Sequence, residues 1–258
     1  FEATGIMYPR ITGGYKALRR FLIDELMRSV EDITPIVLGG RTGTGKTILL
    51  NKIEQQIDLE YIYNHRGSAF GKQATPQPGQ IDIENQLSIA LIKQRKKQLK
   101  NLVFEDEASN IGSRQLPKYL FNAMSKSPLI LLEAEISERI ENVYHEYVTG
   151  SLAQHQSHFG EEQGFEAWVE VPQTALNKIE RRLGGTRYKE LKEIMDNAIK
   201  HHRQSGNPEQ HKEWIKTLLQ DYYDPMYDYQ LSKKTKRVTF RGDQQSVLDY
   251  LNQQHGIS

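Results

Sequence analysis

The rhythm of apolar positions changes past the middle of the chain. Up to about Ala134, short apolar runs alternate with amphipathic stretches, as in α/β proteins. Leu18, Phe21, Leu22, Leu26 and Met27 recur at helical spacing and predict a first helix ending near Ser29. Pro35-Ile36-Val37-Leu38-Gly39 reads as a buried strand stopped by glycines, and Thr47 to Gln56 as a helix with Ile48, Leu49 and Ile53 inward. Leu59 to Tyr63 reads as a second strand, followed by the polar loop Asn64-His65-Arg66-Gly67-Ser68. A turn-rich stretch from Ala74 to Gln80 precedes a helix over Asp82 to Lys97. Asn101 to Glu105 reads as a third strand and Leu129 to Glu133 as a fourth, followed by a helix over Ser137 to Tyr147.

After about Thr149 strand patterns give way to helical ones. His155 to Gly164 is polar and glycine-flanked, which predicts a mobile loop. Thr174 to Leu183, Tyr188 to His202 and Pro208 to Asp221 show helical periodicity, with breaks at Gly184-Gly185 and at Ser205 to Pro208. Arg237 to Phe240 then reads as a returning strand, and Asp243 to Gln253 as a terminal helix. The predicted organisation is an α/β core over residues 1–150, a helical appendage over 151–235, and a strand and helix over 236–258 that pack back on the core.

Composition narrows the classes. The 258 residues are 37% hydrophobic and 26% charged, enough apolar content for a core. No apolar run approaches the ~20 residues of a membrane span, so no membrane association is expected. There is no cysteine, which excludes disulfides, thiolate metal sites and a cysteine nucleophile within this chain. Lys and Arg number 34 against 33 Asp and Glu, so only a local patch of charge could select a partner. The first residue is Phe1 rather than Met, and the chain is expected to be a fragment or a processed product. No basic stretch leads into an apolar one at that end, so no signal peptide is expected.

The chemistry starts at Gly40-Arg41-Thr42-Gly43-Thr44-Gly45-Lys46-Thr47, which fits G-x-x-x-x-G-K-[ST] at every fixed position, between an apolar strand and an amphipathic stretch. Glycines there let backbone N–H groups converge on a phosphate, Lys46 neutralises terminal phosphate oxygens, and the Thr47 hydroxyl is placed to hold Mg²⁺. The motif predicts a three-layer fold like that of P-loop NTPases, with a mainly parallel sheet. Glu105, Asp106 and Glu107 close the third predicted strand, where such proteins carry an acid that orients Mg²⁺. Alternation pairs Glu105 with Glu107 and sets Asp106 opposite. Asp106 ranks first for a metal or catalytic role and Glu105 next; the bland reading is a cap and two solvated acids. His65 and Arg66 follow the second predicted strand and should open beside the phosphate loop, the one as a proton carrier and the other as an anion fork. Arg139 either reaches the ligand or forms a surface ion pair with Glu135 or Glu138.

Several of these segments occur in one order: Gly13-Gly14-Tyr15-Lys16-Ala17-Leu18-Arg19, the loop Gly40 to Thr47, Asn64-His65-Arg66-Gly67-Ser68-Ala69-Phe70-Gly71, Pro76-Gln77-Pro78-Gly79-Gln80 with Glu84-Asn85, and Glu105-Asp106-Glu107 with Ile111-Gly112. Together they resemble the P-loop domain of bacterial tRNA 2-selenouridine synthases. The likeness is dense over residues 10–140 and thinner beyond, where Leu183-Gly184-Gly185 is its best match. It implies a cytoplasmic transferase acting on the wobble 2-thiouridine in the anticodon arm of tRNA. Such enzymes move a geranyl group from geranyl diphosphate to the sulfur, then exchange the geranylthio group for selenium from selenophosphate. The family's essential cysteine lies in an N-terminal rhodanese-like domain that this chain lacks. Geranyl diphosphate binding and geranyl transfer are therefore expected here, and selenium transfer is not expected of this chain alone.

The resemblance also gives the basic residues a reading. Arg181, Arg182 and Arg187, with Lys178, Lys189 and Lys192, cluster around Gly184-Gly185, and Lys233, Lys234, Lys236 and Arg237 form a second run. These are expected to meet tRNA phosphates, with Tyr222, Tyr223, Tyr227 and Tyr229 as stacking faces for an unstacked base. Phe70 serves either as a wall for the isoprenoid chain or as an ordinary core residue. Two other functions compete: a P-loop kinase moving phosphoryl from ATP to a small molecule, against which stands the lack of a clear lid helix with several arginines beyond Arg181 and Arg182, and a nucleotide-dependent binding module without chemistry.

Overall fold

The computed structural model describes residues 11–257; the first ten positions of the expected 1–150 core and Ser258 of the expected 236–258 segment lie outside the described residues. α1 (Gly14–Asp32) leads into β1 (Thr34–Gly39), which ends at the phosphate loop and passes into the short α2 (Lys46–Leu50). β2 (Gln56–Ile57) and α3 (Leu59–Tyr63) follow, then α4 (Gln80–Lys96), β3 (Asn101–Glu105), and the small antiparallel pair β4 (Asn110–Ile111) and β5 (Arg114–Gln115). α5 (Lys118–Lys126), β6 (Leu129–Leu132) and α6 (Ile136–Tyr144) complete the first part.

β7 (Val238–Gly242) returns to the sheet, and α12 (Gln244–His255) closes the described chain. The five-stranded sheet runs β2-β3-β1-β6-β7, every pair parallel. Its two faces follow from strict alternation. Ile36, Leu38, Val103, Ile130 and Leu132 pack on one side with Leu49, Leu50, Val247 and Leu251 of α2 and α12. Val37, Leu102, Phe104, Leu129 and Leu131 pack on the other with α1, α4 and α5 through Leu26, Leu87 and Leu120. A parallel sheet covered on both faces by helices is the three-layer arrangement the phosphate-loop motif predicts.

Two predicted elements are corrected. Leu59 to Tyr63 is a helix, not a strand. Asp58 caps it by accepting the Tyr61 N–H at 2.8 Å, and Leu59, Ile62 and Tyr63 are buried at spacings of three and four. The strand is the two-residue β2 just before it. The helix expected over Thr47 to Gln56 stops at Leu50, and Ile48, expected inward, is exposed. Likewise Phe21 and Met27 of α1 face outward, while Leu22 and Leu26 carry its buried side. α5, between the third and fourth predicted strands, is a further element that the sequence reading did not place.

The helical layer begins before residue 151. A π-helical turn, His145–Gly150, continues α6 directly into α7 (Ser151–Phe159). α8 (Glu161–Leu183), α9 (Gly185–Ser205) and α10 (His211–Leu218) follow, and a second π-helical turn, Leu219–Tyr223, leads into α11 (Asp224–Ser232). Val143, Tyr147 and Val148 share one apolar core with Trp168, Trp214 and Leu218, so the helical mass reaches back across the expected boundary. Trp168 and Trp214 are wholly buried; a buried aromatic of this size removes roughly 150–250 Å² from water, on the order of 4–6 kcal/mol before ordering costs. The mobile loop expected over His155 to Gly164 is instead two helices broken at Gly160. Gly164 serves contact, not bending: a Cβ there would meet Gln156 Cα at 2.4 Å, so α7 and α8 approach closely only because it is glycine.

Candidate active site

β1, β2, β3 and β6 are parallel, so their C-terminal ends meet at one edge of the sheet, where open α/β folds bind ligands. A cavity of about 1230 Å³ opens there. Gly40, Thr42, Gly43, Gly45, Lys46 and Thr47 line its floor. The loop is braced from outside: Arg139 Nε donates to the Thr42 carbonyl at 2.9 Å and Asn142 Nδ2 to the Gly43 carbonyl at 2.8 Å, both from α6. Thr44 is buried and donates through Oγ1 to the Arg41 carbonyl at 3.0 Å. Lys46 Nζ donates to the Gly40 carbonyl at 3.0 Å. With α2 only five residues long, its macrodipole is small, and the positive field of the floor comes mainly from loop N–H groups and Lys46.

Arg139 is buried and pairs bidentately with Asp224 at 2.5 and 3.0 Å. Neither reading of Arg139 from the sequence holds, since its partners are the loop backbone and α11. Arg41 also turns to α11, donating to both Asp228 oxygens at 2.7 and 2.8 Å. The phosphate loop is thus tied from two sides to a helix nearly two hundred positions away.

The three acids after Phe104 divide as alternation requires. Thr47 Oγ1 donates to Glu105 Oε1 at 3.0 Å, and Glu105 is 1% exposed. Asp106 instead accepts from Lys234 Nζ at 2.8 and 2.7 Å. The carboxylate beside the Walker-type threonine is therefore Glu105, and Asp106, ranked first from sequence, is held by a lysine expected at a tRNA surface. Glu107 turns back to Glu105 and meets Glu60 from α3; one oxygen of each of the three lies within 4.8 Å of the others. Burial pushes all three carboxyls up, with mutual repulsion adding and Lys46 opposing, Glu107 to about 8 and Glu105 well above the ordinary range. A strand over Leu59–Tyr63 would not bring Glu60 to this edge; the helical turn of α3 does.

The loop after α3 also divides. Arg66 lines the cavity and pairs through Nε with Glu146 at 2.8 Å, leaving Nη1 buried without a hydrogen-bond partner. Gly67 N–H donates to Glu60 at 2.5 Å, and Ser68 Oγ accepts from the Tyr147 hydroxyl at 2.7 Å. Asn64 also faces the cavity, and its Nδ2 holds Thr75 and Pro76. His65 does not line the cavity. Its ring packs against Gly112, where a Cβ would lie 2.7 Å from Cδ2, and burial lowers its pKa, which disfavours the proton-carrying form. The Pro76-Gln77-Pro78 segment acts as a clip: Gln77 Nε2 donates to the Tyr63 and Ile111 carbonyls at 3.0 and 3.1 Å.

The far wall is one the sequence did not reveal. Glu146 and Tyr147, on the π-helical turn after α6, face the cavity together with Tyr223, Met226 and Tyr227. Such a turn shifts side-chain register by one residue and recurs at functional sites. Burial pushes the Glu146 carboxyl up to about 7 despite the opposing Arg66. Phe70 lies one layer deeper, 3% exposed, 6.1 Å from Tyr147 and 5.9 Å from Trp214 between ring centroids, so it is a core residue behind the wall.

The expected tRNA residues are scattered. Arg181, Arg182 and Arg187 are exposed and none lines the cavity, so they form no lid over a nucleotide there. Lys233 lies 4.0 Å from the Tyr229 ring centroid, and Lys236 is exposed. Arg237 donates to the Ser127 and Met124 carbonyls at 2.9 and 2.6 Å, fastening β7 beside β6. Tyr222 and Tyr223 are buried and cannot stack on a base from outside, whereas Tyr229 is 64% exposed. Among the described residues no helix is long and apolar enough to cross a membrane.

Known proteins resemble this chain along most of its length. The family described as tRNA 2-selenouridine synthase AAA domain matches residues 33–257. A tRNA 2-selenouridine synthase of Pseudomonas syringae pv. syringae is 45% identical over 249 residues, 96% of this chain and 68% of that protein. Those of Hahella chejuensis and Cupriavidus pinatubonensis are 44% and 45% identical, over 96% and 98% of this chain and 65% and 69% of theirs. The chain therefore spans about two-thirds of the length of these relatives. No solved structure matches it at a significant level. A family match over residues 33–257 and 45% identity over 96% of the chain place it in the tRNA 2-selenouridine synthase family.

Proposed function

We propose that this chain is a tRNA-modifying transferase domain that binds geranyl diphosphate at the phosphate loop and moves the geranyl group to the sulfur of the wobble 2-thiouridine. The observation that carries the reading is one cavity of about 1230 Å³ with the phosphate loop and Lys46 as its floor and Tyr147, Tyr223, Met226 and Tyr227 beside Glu146 on its wall. A ligand with a charged head and an apolar tail suits both surfaces at once.

In this reading loop N–H groups and Lys46 hold the diphosphate and stabilise the charge that grows on its leaving oxygen. The C–O bond of the geranyl ester breaks, a C–S bond forms, and pyrophosphate departs. The chain's main task is to set the sulfur in line with that oxygen. The alkylated base loses its N3 proton, and Glu146, with its carboxyl near 7 on the same wall, is suited to accept it. Selenium exchange with selenophosphate belongs in this proposal to the whole protein with its rhodanese-like domain.

The test is incubation of a thiolated anticodon-arm transcript with geranyl diphosphate and the folded chain, read by mass spectrometry. Addition of a geranyl unit with release of pyrophosphate is expected. An unmodified transcript overturns the proposal. ATP turnover without RNA would point to a kinase instead, and ATP-dependent RNA affinity without turnover to a binding switch.

A further inference from the structure

The structure assigns a divalent-cation site to Glu60, Glu105 and Glu107, with Asp106 outside it. The three residues come from α3 and from both sides of the end of β3, and one oxygen from each falls within 4.8 Å of the others. Opposite ligands of an octahedral ion with Mg–O bonds of 2.0–2.1 Å lie about 4.2 Å apart, so oxygens within 4.8 Å of one another need to close by only about half an ångström to share one ion. A set made only of oxygen donors selects hard cations such as Mg²⁺ or Mn²⁺.

Acid clusters are common at sheet edges, and two features set this one apart. Glu105 is 1% exposed; its Oε1 accepts from Thr47, and its Oε2 has no hydrogen-bond partner. A carboxylate oxygen out of water and without a donor calls for a positive charge. The second feature is a close approach built in backbone. A Cβ at Gly67 would lie 2.2 Å from Glu107 Oε1, so only glycine lets the Glu107 carboxylate sit there. The N–H of the same Gly67 fixes one oxygen of Glu60 at 2.5 Å, so one glycine positions two of the three carboxylates. Asp106, in contrast, has both oxygens engaged by Lys234.

Mg²⁺ in phosphate sites is commonly held by one or two carboxylates plus the ligand's own phosphates. Three carboxylates make a different statement: the ion binds this chain with no phosphorylated ligand present. That separates the inference from the proposed geranyl transfer, because it is tested without RNA or diphosphate.

The experiment is a Mn²⁺ titration of the whole chain followed by electron paramagnetic resonance of the free ion, with Mg²⁺ as competitor and thermal melts alongside. One Mn²⁺ per chain, displaced by Mg²⁺, is expected. Glu60→Gln and Glu107→Gln should each weaken binding by about tenfold or more, and Gly67→Ala should weaken it by moving Glu107. Asp106→Asn should keep the affinity within about threefold, since it supplies no ligand. The two glutamine variants, relieved of like-charge repulsion, should melt higher than the parent without metal and lose the rise that metal gives the parent. No stoichiometric binding by the folded parent, or loss in Asp106→Asn with retention in Glu107→Gln, overturns the assignment.

Discussion

Lys234 Nζ contacts both carboxylate oxygens of Asp106, at 2.7 and 2.8 Å, across 128 positions of sequence. The pair joins the end of β3 to the segment between α11 and β7, beside the phosphate loop. Replacing Lys234 with Ala leaves Asp106, whose side chain is 16% exposed, without its cation. The cost should be about 1–3 kcal/mol by urea denaturation. A Lys234→Met, Asp106→Leu double variant should recover most of it, because removing both charges avoids the unpaired one. Equal losses in the single and double variants would show that packing, not charge, holds this junction.

Lys46→Ala tests the floor of the cavity. Lys46 neutralises the diphosphate in the proposed reaction, so the variant should lose about 1.5–3 kcal/mol of affinity for inorganic pyrophosphate, and geranyl transfer with it. Affinity for tRNA, measured by filter binding, should stay within a few-fold. Parallel loss of both affinities would mean that the loop is structural or that the site is misplaced.

Arg139 braces the loop from behind. It is buried, and Arg139→Ala leaves the Asp224 carboxylate only the longer contact with Arg41 at 3.6 Å and takes its donor from the Thr42 carbonyl. A broken buried ion pair typically costs about 3–5 kcal/mol, and the variant should unfold at correspondingly lower urea. Arg139→Lys should recover only part, since an ammonium cannot serve a carboxylate as a fork while holding the carbonyl. Full recovery by lysine would show that charge alone matters there.

A buried imidazole sets an acid limit on stability. Trp214 Nε1 donates to His211 Nδ1 at 2.8 Å, and His202 Nδ1 lies 3.2 Å from His211 Nε2. An indole only donates, so His211 carries its proton on Nε2, toward His202. Burial lowers the His211 pKa to about 3 from an ordinary 6.5. Between those values the unfolded chain binds a proton that the folded chain refuses, so stability falls as pH drops below about 6.5. The whole window is on the order of a few kcal/mol. His211→Gln should flatten that limb in urea titrations at successive pH values; coincident limbs would exclude His211 as the cause.

The basic surface can be tested without touching the cavity. Arg181, Arg187, Lys233 and Lys236 are exposed, while Lys234 and Arg237 are engaged by Asp106 and by backbone carbonyls. Neutralising the exposed four should weaken tRNA binding and flatten its salt dependence by about 0.7–0.9 log units per lost phosphate contact. Unchanged affinity and slope would remove these residues from the interface.

Whatever depends on near neighbours is legible in the order of residues. The phosphate loop, the strands at β1, β3 and β6, the returning β7 and the pairing of Glu105 with Glu107 all follow from spacing, because strand alternation and the glycine pattern are local rules. Even the misread Leu59–Tyr63 segment carried its helical signal in the Asp58 cap and the spacing of its buried side chains. What each charge does is set by the fold. Asp106 became a partner of Lys234, Arg41 and Arg139 became partners of α11, Glu60 joined the carboxylate cluster, and Tyr147 and Tyr223 became a cavity wall. The reason is physical: a charged side chain out of water takes whichever opposite charge or donor the fold brings within about 4 Å, and no periodicity in the chain encodes which distant segment that will be.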